Sequence, residues 1–308
     1  MSFDQQESSG SPVSQENFSQ RRQQQSLWGL VHSWQQRVRW RGPWVWGLLV
    51  LVLPVGLSGG AFIGAGKAHA SPFSQTPIPT QTTTRTFPVG DQPDLSITNT
   101  DAGSINVHTG SNDTIVITAT IKSPTGNFPT VNFANPDNTH VIVTVTDNSP
   151  RSNRNSVDFD VTVPASSDLD LNARAGDITI VDGVQGTVNL QGGAGDISVS
   201  NTTLIGSGSI KVSTGAITFA GSIASGAAYQ FQGNASNLDI TLPSNTNSHV
   251  SARTTAGTIQ SDFSEIHIHS TGITSQEGQG DIGSSHPSAT LSLTTGTGSI
   301  TIHKEAAA

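Results

Sequence analysis

Leu169-Asp170-Leu171, followed by Gly176-Asp177-Ile178-Thr179-Ile180, decides the fold because the chain says it again and again. It returns as Val188-Asn189-Leu190 with Gly195-Asp196-Ile197-Ser198-Val199, and as Ile210-Lys211-Val212 with Gly215-Ala216-Ile217-Thr218-Phe219. A late copy is Leu291-Ser292-Leu293 with Gly298-Ser299-Ile300-Thr301-Ile302. First triplets begin at Leu169, Val188, Ile210, Tyr229 and Val250, in steps of 19 to 22 residues. Second triplets begin at Ile178, Ile197, Ile217, Leu238 and Ile259, in steps of 19 to 21.

An apolar-polar-apolar triplet is a short strand with one inward face. Repetition at this period marks stacked units, none of which can bury its apolar face alone. Two triplets per period give two strands per rung. Glycine ahead of the second strand supplies a positive-φ turn residue without steric cost. Where glycine lapses ahead of Leu238, Asn237 is the next best tolerated residue. The fold class is therefore all-β, a parallel β-solenoid of rungs about 20 residues long. The rival is an antiparallel meander with each glycine segment as a hairpin loop. The parallel stack is favoured because the period stays tight while inserts fall at its corners. The weak rung is Thr254 to Ile282, where Ile259 lacks a clear second apolar partner and Glu265 to Gly280 reads as an enlarged loop.

Working outward, residues 91–164 lack the repeat but alternate strongly, as in Ile115, Ile117, Ala119 and Ile121. An open solenoid end is an exposed sheet edge, so this stretch is expected to be an N-terminal β cap on the repeats at 165–303. Residues 67–90, rich in Pro, Thr and Ser, read as an extended linker. Gly42 to Gly66 carries no charged residue for 25 positions. That length spans a hydrocarbon layer of about 30 Å, and residues 43–66 are expected to be a transmembrane helix. Arg37, Arg39 and Arg41 precede it and Lys67 follows it, which places residues 1–42 in the cytoplasm and the repeats outside. The tail is Gln- and Ser-rich and expected to be disordered at its start, with a short amphipathic helix expected on the membrane surface through Leu27, Val31, Trp34 and Val38. Ala68-His69-Ala70 is the alternative: an A-x-A site whose cleavage after Ala70 releases the repeats.

Composition narrows function. Cysteine is absent, so no disulfide, thiol nucleophile or Cys metal site exists. From Lys67 onward 9 Lys/Arg face 19 Asp/Glu, a net of −10, which argues against nucleic acid and anionic lipid surfaces.

The strand Ser156-Val157-Asp158-Phe159-Asp160-Val161-Thr162-Val163-Pro164, then Leu169-Asp170-Leu171 and the Gly-Asp-Ile turns at 176 and 195, resemble the bacterial putative-adhesin family. The resemblance covers Asp94 to Ile302. It implies a β-helical envelope domain of unknown function behind a membrane anchor, and it brings no catalytic or ligand residues. Later rungs depart from the pattern, with Ala216, Asn237, Thr258 and Ser299 in place of the aspartate.

Two clusters are weak metal candidates. Asp177 and Asp196 share a column on adjacent rungs, about 5 Å apart, a spacing at which oxygens can share Ca²⁺. Their column does not continue as a carboxylate ladder, so turn residues bonding to backbone explain it better. Glu265, His267 and His269 alternate with Ile266 and Ile268, and His-x-His on a strand suits Zn²⁺ or Cu²⁺. The competing reading is a solvent-facing polar row over buried isoleucines. Catalysis is disfavoured: outward positions are mostly Ser, Thr, Asn and Gln, and Lys211 and Arg253 lie on different rungs without an obvious acidic pair. No cofactor is expected.

The sequence thus points to a single-pass, membrane-anchored, extracytoplasmic adhesin-like binding or structural protein of the bacterial envelope. Its expected partners are envelope glycans or surface proteins. An envelope-stress or signalling accessory acting through the cytoplasmic tail is the alternative, and a secreted polysaccharide-acting enzyme is the third class.

Overall fold

The computed structural model describes residues 77–147 and 154–305, all in strands, turns and loops. The expected tail, transmembrane helix and Ala70 cleavage site lie outside the described residues. Among the described residues no helix is long and apolar enough to cross a membrane.

The first strands are β1 (Thr80–Pro88), β2 (Asp94–Ala102), β3 (Ile105–Thr109), β4 (Thr114–Lys122), β5 (Thr130–Ala134), β6 (His140–Thr146) and β7 (Ser156–Val163). The repeats begin with β8 (Asp168–Ala175), β9 (Ile178–Ile180), β10 (Gln185–Gly186), β11 (Val188–Ala194), β12 (Ile197–Leu204), β13 (Ser207–Ile223) and β14 (Ala228–Pro243). They end with β15 (Ser248–Ala256), β16 (Ile259–Ser261), β17 (His267–Ser270), β18 (Gln276–Ile282), β19 (Ala289–Thr297) and β20 (Ile300–Glu305).

Each triplet lies in register on its neighbour. Leu169 pairs with Val188, Leu190 with Ile210, and Ile210 with Phe231, all in parallel. On the second face Ile178 pairs with Ile197, Ile197 with Ile217, and Ile217 with Leu238. The two faces enclose one continuous apolar core, and the apolar residues of both triplets are buried in it. Phe219 and Phe231 meet edge to face inside, with ring centroids 5.4 Å apart. The parallel solenoid holds through the repeats, and antiparallel pairing is confined to the two ends.

Stacking order departs from chain order. β19 and β20 pair with β14 on one side and with β15 and β16 on the other. β2 likewise lies between β6 and β8, and β3 between β7 and β9. The rungs therefore run 140–146 with 156–163, then 94–109, 168–180, 188–204, 207–223, 228–243, 289–305 and 248–261. At each end a segment remote in sequence is inserted one place in from the outermost rung. The inserted rungs carry buried polar corners: Asn99 Nδ2 donates to Val157 O at 2.8 Å, and Thr295 Oγ1 to Ser236 O at 2.7 Å. Ala173 and Gly192 hold the same register position in the middle rungs, which need no such bond.

Three expectations change. Residues 91–164 supply two rungs of the stack as well as capping strands, because Leu95, Ile97, Val141 and Val143 form the same inward rows as the repeats. Their period is masked by β4 and β5, which pair antiparallel with β7 and β6. Thr80–Pro88, within the stretch expected to be linker, is a strand paired along its length with β4. Thr and Gln on both of its faces erase the alternation that identifies a strand, although Thr favours one. Glu265 to Gly280 is a β17–β18 hairpin leaning on β15, with Phe263 and Ile266 buried beneath to complete the weak rung.

Deleting residues 289–305 would leave β14 and β15 about 9.6 Å apart, two rung spacings, with nothing between them. Such a chain is expected to lose its cooperative thermal transition, read by far-ultraviolet circular dichroism. Retention of a sharp transition would show that the inserted rung is dispensable.

Candidate functional site

The corner between the two faces is built from a glycine column and, one residue on, a polar column. Gly195 has φ 139°, and a Cβ there would fall on the carbonyl of Gly176 in the rung below, so only glycine fits. At 236 the glycine is replaced by serine. Asn237 does not take the expected left-handed role, since the one described non-glycine residue with positive φ is Asn201, at a register shift in β12.

The polar column binds backbone. Asp177 Oδ1 accepts the Asp196 N–H at 2.8 Å, and Asp196 Oδ1 accepts the Ala216 N–H at 2.7 Å. Asn237 Oδ1 accepts the Ser299 N–H at 2.9 Å in the same way. A neutral amide thus performs the task of the carboxylates, so the column selects an acceptor oxygen rather than a charge. Where Asp177 and Asp196 were candidate Ca²⁺ ligands, one oxygen of each is committed to the rung above.

Outside the corner, both faces carry rows of short polar side chains. On the second face Thr179, Ser198, Thr218, Asp239 and Thr301 are in register across adjacent strands. Asn106 and Asp160 extend the row one way and Gln260 the other. On the first face Asp170, Asn189, Ser209, Gln230, Ser292 and Ser251 form a matching row. Rows of hydroxyl, amide and carboxyl groups about 4.8 Å apart can hydrogen-bond repeatedly to a polymer laid along them.

Ionisable groups gather at both ends. Burial pushes the Asp94 carboxyl up, His140 opposes this, and Asp168 and Asp170 add to it. Asp101 is raised by burial and by Asp147, with Arg174 opposing. In the turn before β6, the Thr139 hydroxyl and the His140 ring hold Asp137 below the usual carboxylate range. At the far end His249 Nδ1 lies 2.5 Å from Asp281, and Arg253 lies 2.6 Å from Glu277.

The second metal candidate is rearranged. His267 and His269 lie exposed on β17, opposite Gln279 and Glu277. Glu265 precedes the strand and accepts a hydrogen bond from Ser264 Oγ at 3.2 Å. The carboxylate beside His269 is Glu277, 3.9 Å away, which sequence reasoning missed. Its signal was the alternation Glu277, Gln279, Asp281, legible only once the hairpin register is known. Among the described residues no three His, Asp or Glu side chains stand in ligating positions.

Residues 76–224 match the Toastrack DUF4097 family, in agreement with the putative-adhesin resemblance. No curated protein matches the sequence. A putative cell adhesion protein from Clostridium sporogenes is similar in structure at 10% identity and TM-score 0.37, covering 73% of this chain and 100% of its own. A putative adhesin from Bacteroides fragilis is similar at 15% identity and TM-score 0.39, covering 72% and 97%.

Two expectations follow. Losing the Asp196 carboxylate is expected to cost about 0.5–1.5 kcal/mol, one backbone hydrogen bond, and excess EDTA to leave the melting temperature unchanged. A melting point lowered by EDTA and restored by Ca²⁺ would show a structural ion instead. The second concerns pH. His140 is raised, first by its hydrogen bond to Asp137, above the ordinary 6.5, so its contribution is full below that value and lost as pH rises through the raised one. Asp137 is lowered, so its contribution is present above the usual carboxylate range and lost on acidification. The pair therefore works between those limits. An NMR titration is expected to place the His140 midpoint above 6.5, and Asp137→Asn to bring it back.

Proposed function

We propose that this chain is a membrane-anchored, extracytoplasmic, non-catalytic surface protein that holds repeating envelope polymers, glycans in particular, along its outer rows. The observation that carries this is the unbroken register of Thr179, Ser198 and Thr218 on adjacent strands. Short β-branched and hydroxyl side chains have few rotamers to lose, so they present a preordered hydrogen-bonding lattice. Each contact is weak, and affinity arises from repetition along the rod. The Toastrack match supports a surface role. The charge-free stretch 42–66 behind Arg37, Arg39 and Arg41 supports an anchor with the N-terminus in the cytoplasm. The alternatives are release after Ala70 and a signalling accessory working through residues 1–42.

Co-sedimentation of the full chain with purified envelope polysaccharide tests the reading. Thr179→Val, Ser198→Ala and Thr218→Val together remove three hydroxyls worth about 1 kcal/mol each. Binding is expected to fall at least about tenfold with the fold intact, 1.4 kcal/mol being the energy of a tenfold change. Equal sedimentation of both chains would refute polymer binding by this face.

A further inference from the structure

We propose that His267, His269 and Glu277 form a binding site for a divalent transition-metal ion of the zinc class. This goes beyond polymer binding and does not rest on it. β17 is a four-residue strand paired with β18, and all four of its residues are exposed. His267 and His269 are two positions apart, so both imidazoles leave the same face of the strand. The antiparallel register sets Glu277 directly across from His269, with Oε2 3.9 Å from His269 Nε2.

The carboxylate is already oriented. Arg253 Nη1 holds Glu277 Oε1 at 2.6 Å, which fixes the plane of the group and leaves Oε2 turned toward the imidazole. Two imidazoles and one carboxylate oxygen make a three-ligand set with a fourth position open to water, the arrangement in which zinc is held at reactive sites. Nitrogen and oxygen donors of this kind also suit Cu²⁺, which binds such sets more tightly. The ligands do not converge in the side-chain positions described, so the ion must draw His267 along β17 toward His269. Exposed rings change rotamer at little cost. Glu265, the carboxylate nearest in sequence, stands before the strand with its own bond to Ser264 and takes no part.

Zinc chloride titrated by calorimetry into the untagged full-length chain, solubilised in detergent, tests the site. One ion is expected to bind at this position. Changing His267→Ala or His269→Ala is expected to weaken binding by at least the roughly tenfold that loss of even an outer-shell partner costs. Glu277→Gln is expected to weaken it several-fold, and Glu265→Gln to leave it unchanged. Co²⁺ substitution gives a second readout, since its visible absorption reports a tetrahedral nitrogen and oxygen set that the double histidine variant must lose. Circular dichroism checks that each variant keeps its strands. Absence of zinc binding by the unsubstituted chain overturns the site, as does equal affinity in the double histidine variant. Weakening by Glu265→Gln but not by Glu277→Gln overturns the assignment of the third ligand.

Discussion

Parallel, in-register pairing of one rung on the next, at about 4.8 Å, is the constraint on which the rest of this structure depends. It turns a sequence into columns. Ile178, Ile197, Ile217, Leu238 and Ile300 lie one above another and bury one another, although no rung owns a core. The same spacing leaves no room at the corner, where a Cβ on Gly215 would meet the carbonyl of Gly195. Apolar columns and glycine columns are two results of one distance.

The polar columns follow from it as well. An acceptor one residue beyond the corner finds the amide of the neighbouring rung within reach, and Asp177, Asp196 and Asn237 all use it. Inside, Tyr229 solves a related problem across two rungs. Its hydroxyl accepts the Val188 N–H at 3.0 Å and donates to Ile205 O at 2.9 Å, and Gly208 makes room for the ring. Burial raises its pKa, as expected for a phenol enclosed among aliphatic side chains and needed in its neutral form. Charge plays little part in holding the stack, so the acidic groups are left mainly to its outer surfaces.

Much of this was legible in the triplets. Alternation identifies Leu169, Leu171, Ile178 and Ile180 as inward, and their burial agrees. Periodicity, however, is blind to order. Ile300 repeats the pattern of Ile259 equally well whether it stacks beyond that residue or, as it does, between it and Leu238. β1 escaped notice because polar residues occupy both of its faces, and pairing with β4 rather than amphipathicity makes it a strand. Asn237 was assigned to the glycine column because only its distance from Leu238 was visible. Its partner, the Ser299 amide, lies 62 residues away. Glu277 was missed for the same reason: a cross-strand neighbour is a property of the hairpin, not of the local sequence.

The inserted rungs make the order of synthesis differ from the order of assembly. A growing chain makes β14 and then β15, and for a time these two are the natural partners of each other's open edges. The strands that belong between them are made later. If β15 docked on β14 at once, it would have to leave again to admit β19 and β20. Residues 262–288 give β15 an antiparallel neighbour in their hairpin, on the edge turned away from β14, while the edge facing β14 takes β19. The hairpin thus closes the outer end of the stack, and the slot between β14 and β15 is left for the last strands of the described chain to fill.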